Sequence, residues 1–323
     1  MKYKIAIIGA TGVVGKEVLK TLFQRGLVDN TYLLYAEKQE VGKCVKFGKE
    51  KLRINNLDNK IFEQSLDFAI FCCSGEVSRL YVKGLAKSGT KVIDFSEIYR
   101  KDFPLIVPEI NGDCAKGNII CNPNCSTIAA VMALNLVHKK YGLKRVVYST
   151  YQAVSGAGKL ALKDMKVNNP KHLKKFRFVI KNNLIPYIGE LDKKGYSTEE
   201  NKMVFETKKI LGDKNIKVTA TCVRVPIDIC HSESINFETK KYVSIKELKN
   251  TFLETSGVKV VDDFPTFPMP IITRGGDNVL VGRIRRDNTQ KNTFNIFVCS
   301  DNLRKGAAQN GVQILELLMG VKI

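Results

Sequence analysis

The short apolar run Lys4-Ile5-Ala6-Ile7-Ile8 passes directly into Gly9-Ala10-Thr11-Gly12-Val13-Val14-Gly15 and then into a helical pattern through Glu17 to Phe23. No other feature restricts the fold as strongly. A strand that feeds a glycine turn and opens a helix is the first half of a parallel βαβ unit. Its use is main-chain chemistry: glycines let the turn tighten, while free N–H groups and the positive end of the helix dipole face an anion such as a pyrophosphate. The spacing is GxxGxxG rather than GxGxxG, a variant of the dinucleotide pattern, and an ordinary βα turn has the same outline.

Apolar runs alternate with helical patterns over the first 130 residues: KIAIIG, YLLYA, DFAIFCC, KVIDFS and NIICN. That alternation predicts a doubly wound parallel sheet. From about Arg145 the runs lengthen and become β-branched, as in RVVYSTYQAV, KVTATCVRVPIDI and TFNIFVCSDN. They predict a mixed or antiparallel sheet with helices on one face. The expected fold class is therefore α/β, with an N-terminal Rossmann-like parallel-sheet domain over residues 1–126 and a second, α+β domain over residues 127–302. The last helix, within residues 303–323, is expected to fold back onto the first domain.

The formal charge is +20, from 52 Lys and Arg against 32 Asp and Glu. Such a balance suits nucleic acid, or anionic substrates and a phosphate-bearing cofactor, or is compositional bias. No aromatic RNA-binding motif accompanies it, so no nucleic-acid partner is expected. Nothing near Lys2 and Lys4 resembles a signal peptide, and no stretch reaches the roughly 20 apolar residues of a membrane span. The nine cysteines, odd in number and unevenly spaced, read as reduced thiols, which makes the cytoplasm the expected location. No metal site and no membrane partner are expected. The Lys-rich stretch from Lys159 to Lys181, broken by Asn168-Asn169-Pro170, reads as solvated surface, with a phosphate- or partner-binding role as the alternative.

One cysteine stands apart. Asn122-Pro123-Asn124-Cys125-Ser126-Thr127 leads into IAAVMALNLVHKK, a helical pattern that closes at Gly142. A thiol at a helix N-terminus has its thiolate stabilised by the dipole and local N–H groups, which makes a nucleophile. A buried structural cysteine is the competing reading. Three histidines are available as its partner: His138 at a helix end, His172 in the charged stretch, and His231 where a strand runs into a loop. Position alone leaves His231 open between catalysis and a buried or capping role.

Taken together, GATGVVG, RKDFPLIVPEIN, NPNCSTI, TYQAVSGAG, ETKKIL, VRVPIDICHSE and DNLRKGAAQNGVQILELL resemble, in order and along the whole chain, the motifs of the aspartate-semialdehyde dehydrogenase family. The resemblance implies that Cys125 is the nucleophile, His231 the acid/base and Gln152 the residue orienting substrate near the thiol. It assigns Arg100 to phosphate, Arg224 to the substrate carboxylate, and Glu206 and Lys209 to substrate or phosphate. It places Gly9, Thr11, Gly12, Val13, Val14, Lys38 and Gly75 in the cofactor cleft, Ser155, Gly156 and Gly158 beside the nicotinamide, and Asn310 near the ribose. The second domain becomes a catalytic and dimerisation domain, and a homodimer or homotetramer is expected.

The implied reaction is reductive dephosphorylation of aspartyl phosphate to the semialdehyde, reversible, NADP-dependent and proceeding through a Cys125 thioacyl intermediate, in lysine, methionine and threonine biosynthesis. Inorganic phosphate is the second small molecule. Two alternatives stand beside it: an acyl-phosphate reductase for another substrate such as N-acetyl-glutamyl phosphate, and a non-catalytic homologue that binds cofactor or nucleic acid. Two departures matter. The strand YLLYA ends in Glu37-Lys38-Gln39, where Glu37 repels the 2′-phosphate of NADP unless Lys38 compensates, so NAD stays open. Arg224 and His231 are seven apart, so Pro226 must interrupt the strand if both serve one site.

Overall fold

The computed structural model describes residues 2–321. The chain divides into two compact units, one built from the stretch through Pro123 together with the stretch from Ala307, the other from Asn124 to Gly306.

The first unit holds β1 (Lys4–Ile8), α1 (Val13–Gln24), β2 (Thr31–Ala36), β3 (Cys44–Phe47), β4 (Glu50–Asn56), β5 (Phe68–Phe71), α2 (Gly75–Lys87), β6 (Lys91–Asp94), the short α3 (Pro108–Asn111) and β7 (Ile119–Cys121). Its sheet runs β3-β4-β2-β1-β5-β6-β7, parallel throughout except for the antiparallel β3–β4 hairpin. The hairpin is absent from the sequence reading, because Lys, Arg and Glu alternate there with only modest apolar residues. The inner strands are near-continuous apolar runs because both faces are covered. Ile5, Ile7, Leu34, Ile70 and Ile93 form one core with Val18 and Leu22 of α1 and with Val312 and Leu315 of the C-terminal helix, Gln309–Leu318. Arg25 fastens that helix by two hydrogen bonds of 2.7 Å to the Glu316 carboxylate.

Strand order reverses at β1, which lies between β2 and β5, so the glycine turn occupies the switch point where open α/β sheets form their crevice. Only glycine fits there. At Gly9, φ is +83° and a Cβ would lie 2.4 Å from the Cys72 carbonyl oxygen; at Gly15 it would lie 2.2 Å from the Gly9 carbonyl oxygen.

The second unit holds α4 (Cys125–Tyr141), β8 (Leu143–Gln152), α5 (Lys159–Asp164), α6 (Thr198–Leu211), β9 (Lys217–Arg224), β10 (His231–Thr239), α7 (Ile245–Leu253), β11 (Val258–Val260), α8 (Pro270–Thr273), β12 (Val279–Arg286) and β13 (Thr293–Ser300). Its mixed sheet runs β11-β12-β13-β10-β8-β9. Side chains directly paired across strands share a face. Arg224, Gln152, His231 and Ser300 therefore stand level in one row, because Gln152 pairs with Arg224, Ser232 with Tyr151 and His231 with Ser300. The next row is Cys222, Thr150, Glu233 and Val298. Helix α6 covers this face through Met203, 3.6 Å from Cys222 Sγ, and Thr207, 3.2 Å from the Tyr148 hydroxyl. Ser197 and Glu200 close a reciprocal capping box that starts α6, and Gly212 ends it in the left-handed region.

Candidate active site

Asn124 builds the start of α4. Its side-chain oxygen accepts from the N–H groups of Ser126 and Thr127, at 3.0 and 3.2 Å, which makes Cys125 the first residue of a 17-residue helix. The thiol thus sits at the positive end of the dipole. Its Sγ is 3.2 Å from Nε2 of His231. The other ring nitrogen, Nδ1, accepts from the Ala153 N–H at 3.0 Å.

The Arg224–Gln152–His231 row depends on the break between β9 and β10. Residues 225–230 leave the sheet at Pro226 and return through Cys230 with φ +80°, whose N–H donates to Asn302 at 2.9 Å. Each residue lies at the end of its own strand beside Gln152, so the sevenfold separation in sequence is no obstacle. Arg224 is buried and donates to the Ala153 carbonyl at 2.7 Å. Burial draws its pKa down, yet guanidinium stays charged in proteins. Burial first, then the Arg224 cation, pushes His231 down to about 3, so its ring is neutral at ordinary pH. Gln152 is buried and donates to the Thr150 hydroxyl at 3.3 Å.

A carboxylate absent from the sequence reading enters from α6. Glu199 accepts from the Asn124 amide at 2.8 Å and pairs with Lys202 at 2.7 Å. Burial raises its pKa, but Lys202, Asn124 and Arg224 outweigh that and bring it down to about 2. Glu206, two turns on, accepts from the Asn124 main-chain N–H at 2.7 Å. Lys209 lies over the Phe205 ring at 5.7 Å. The sequence reading did not single out Glu199 and Lys202; the resemblance pointed to Glu206 and Lys209 on the same helix, and i, i+3 spacing puts each pair on one face.

The turn after β8 packs over the histidine. A Cβ at Gly156 would come within 3.4 Å of His231 Nε2 and 3.2 Å of an Arg224 nitrogen. Ser155 is buried and exchanges hydrogen bonds with Asn302, and Gly158 holds φ +90°. Gly306 approaches from the chain's later part, where a Cβ would lie 3.2 Å from that of Cys125.

The remaining expected residues lie in the first unit. Thr11, Gly12, Val13 and Val14 line the turn and the first residues of α1, whose N-terminus has no side-chain cap. Lys38 is exposed in the turn after β2, beside Glu37, which accepts from Gln39. Gly75 opens α2, with no room for a Cβ against Ile98. Arg100 is buried and donates to the Phe95 carbonyl at 2.7 Å. Asn310 is fully buried and its amide donates to Ile106 O and Asn122 Oδ1, tying the C-terminal helix to the sheet. Of the other histidines, His172 is exposed, and His138 accepts from Leu143 N–H and faces Asp213 at 4.0 Å. Among the described residues no cluster could hold a metal ion and no helix is long and apolar enough to cross a membrane.

A dinucleotide turn in one unit and a helix-capped thiol against a histidine in the other define the class of the semialdehyde dehydrogenases. Two family models of that class match: the NAD binding domain over residues 4–117 and the dimerisation domain over residues 134–305. The chain is 44% identical to aspartate-semialdehyde dehydrogenase of Aquifex aeolicus, over 99% of this chain and 98% of that one. It is 41% identical to the Bacillus subtilis enzyme of that name, over 97% and 96%. The structure of aspartate semialdehyde dehydrogenase II of Vibrio cholerae, complexed with ASA, superposes with a TM-score of 0.95 at 36% identity and full coverage of both chains. An NADP complex of the Candida albicans enzyme gives 0.77 at 25% identity, over 99% of each. The chain belongs to the aspartate-semialdehyde dehydrogenase family.

Proposed function

We propose that this chain interconverts aspartyl phosphate and aspartate semialdehyde, with Cys125 as the covalent nucleophile. The 3.2 Å approach of Cys125 Sγ to His231 Nε2 at the start of α4 carries the reading. In the oxidative direction the thiolate adds to the aldehyde carbon, and the developing oxyanion lies where His231 can stabilise it. The nicotinamide, when bound, supplies the hydride acceptor. Cys125 then holds the acyl group as a thioester, and phosphate attack releases acyl phosphate and returns the thiolate. His231 handles proton and charge at this centre, and Gln152 orients the carbonyl between them.

Cations are needed twice, for the substrate carboxylate and for phosphate. Arg224 suits the carboxylate, because it sits level with Gln152 and His231. Arg100 is the proposed phosphate residue of the first unit. Glu199 with Lys202 forms the ion pair whose contacts lead directly to the cap of α4, and a free substrate amine has a carboxylate partner there. Glu206 holds the main chain of Asn124, and Lys209 shares its helix.

The cofactor reading rests on fit. The N-terminus of α1, which has no side-chain cap, and the glycine cradle suit a pyrophosphate, with Thr11, Val13 and Val14 as its main-chain donors, Gly12 giving its N–H to the Gly9 carbonyl at 3.0 Å to hold the turn, and Gly75 keeping the adjacent helix start clear. We assign NADP as the preferred form, Lys38 meeting its 2′-phosphate while Glu37 is engaged by Gln39. Ser155, Gly156 and Gly158 would border the nicotinamide. The dimerisation-domain match supports a homodimer built on the second unit, and a cytoplasmic location fits a reduced thiol nucleophile.

The test is reduction of NADP, and of NAD in parallel, with aspartate semialdehyde and with or without phosphate. Phosphate-dependent turnover, with kcat/KM higher for NADP, supports the assignment. Turnover only with an N-acylated glutamate semialdehyde moves it to the related reductase.

A further inference from the structure

We infer that Thr150 is a positioning residue: its hydroxyl, oriented by Cys222 and Met203 behind it, anchors the Gln152 amide and decides which amide atoms meet the substrate. The inference deepens the proposed reaction and rests on Gln152 being the residue that orients the substrate. Thr150 and Gln152 are two apart on β8, so they share the face that carries the site. Both are buried, and Gln152 Nε2 lies 3.3 Å from Thr150 Oγ1. Among the described residues the Gln152 side chain has no other hydrogen bond, so this contact alone sets how its amide is turned.

The direction of the contact follows from the groups behind it. A thioether sulfur has no proton to give, so Cys222, whose Sγ is 3.6 Å from Met203 Sδ, is the donor of that pair. Burial pushes the Cys222 thiol up and keeps its proton in place. Cys222 pairs directly with Thr150 across β9 and β8, and the Thr150 hydroxyl is its hydrogen-bond partner there. With its own proton turned to Met203, the Cys222 sulfur accepts from Thr150, which leaves the Thr150 oxygen as the acceptor for Gln152. Glu233, the neighbour of Thr150 on β10, does not compete, because neither of its carboxyl oxygens has a partner among the described residues.

A chain of donors thus runs from Gln152 through Thr150 and Cys222 to Met203, and its acceptor-only end on α6 fixes every link. The amide nitrogen of Gln152 faces Thr150. Its carbonyl oxygen and second N–H remain for the substrate, level with Arg224 and His231. A flipped amide would set the Gln152 carbonyl oxygen against the Thr150 oxygen, two acceptors with no proton between them, which is costly where both are buried.

A double-mutant cycle tests this. Thr150→Val, close to the parent in shape, should lower kcat/KM for aspartate semialdehyde roughly tenfold with the KM for NADP unchanged, and Thr150→Ser should restore the parent value. In the Gln152→Ala background Thr150→Val should cost nothing further, because Thr150 acts only through that amide. The side-chain amide signal of Gln152, assigned by its loss in Gln152→Ala, reads the anchor without turnover: its protons should exchange with water faster in Thr150→Val and at the parent rate in Thr150→Ser. An unchanged kcat/KM or unchanged exchange in Thr150→Val overturns the inference, as does a full additional loss in the Gln152→Ala background. If Thr150→Val folds only in that background, the unpaired amide is what unfolded it and the inference stands; failure to fold in both overturns it, since Thr150 then acts beyond Gln152. An active parent whose amide ignores Thr150 defeats this inference only; a Thr150-dependent amide without turnover on aspartate semialdehyde defeats the assigned reaction.

Discussion

Glu233 is nearly sealed from solvent, and neither carboxylate oxygen has a hydrogen-bond partner among the described residues. Burial and then the negative charge of Glu199 push its pKa well up, so the folded chain keeps it protonated. The unfolded chain releases that proton above about pH 4.3. The folded state then binds more protons than the unfolded one, and stability falls as pH rises through that value. Glu233→Gln should therefore melt higher than the parent at pH 8, with the gain vanishing toward pH 4. An equal gain at both values would show that Glu233 is not a neutral acid. The two acid–base pairs of α6 can be separated the same way, by kinetics. Glu199→Gln and Lys202→Ala should each lower kcat/KM by roughly tenfold or more, as loss of a charge-assisted contact does. Lys209→Ala tests the pair that the resemblance assigns to substrate or phosphate: a loss as large as that of Lys202→Ala gives it a share of the contact, and a loss of about twofold or less leaves the contact to Glu199 and Lys202.

Elements of strong period were legible, and irregular joints were not. The apolar run Lys4–Ile8 with its glycine turn and the α4 pattern after Asn124 announced themselves, because propensity, capping residues and apolar spacing agree there. Pro226 announced a break, though not that the break would bring Arg224 and His231 to either side of Gln152; that follows from strand register, which is a tertiary property. The hydrogen bond from the Ala153 main chain to His231 left no trace in side-chain identity, since any residue but proline carries the same N–H. Helix α6 shows how local chemistry fixes a site component. Ser197 and Glu200 cap its first turn and so set where Glu199 points. Ser197→Ala should cost about 1 kcal/mol of stability, measured by denaturant unfolding, and should weaken substrate binding through Glu199. Unchanged stability would mean that packing alone starts the helix.

At the scale of the molecule, the sequence separated a nucleotide-type unit from a mixed-sheet unit because parallel strands buried on both faces read differently from half-covered ones. The seven ordered motifs carried the family, and the chain's likeness to its relatives extends over nearly its full length. The net charge of +20 would suit the proposed acyl phosphate, inorganic phosphate and a phosphate-bearing cofactor, and compositional bias gives the same number. What unites these levels is the claim that Cys125 forms a thioester. It is tested most directly by mixing the protein with aspartate semialdehyde and NADP without phosphate, quenching rapidly, and weighing the Cys125 peptide. The account predicts an acyl adduct on Cys125 in step with one equivalent of NADPH, released by phosphate and absent in Cys125→Ala. Turnover that survives in Cys125→Ala, or NADPH formed with no adduct, would contradict it.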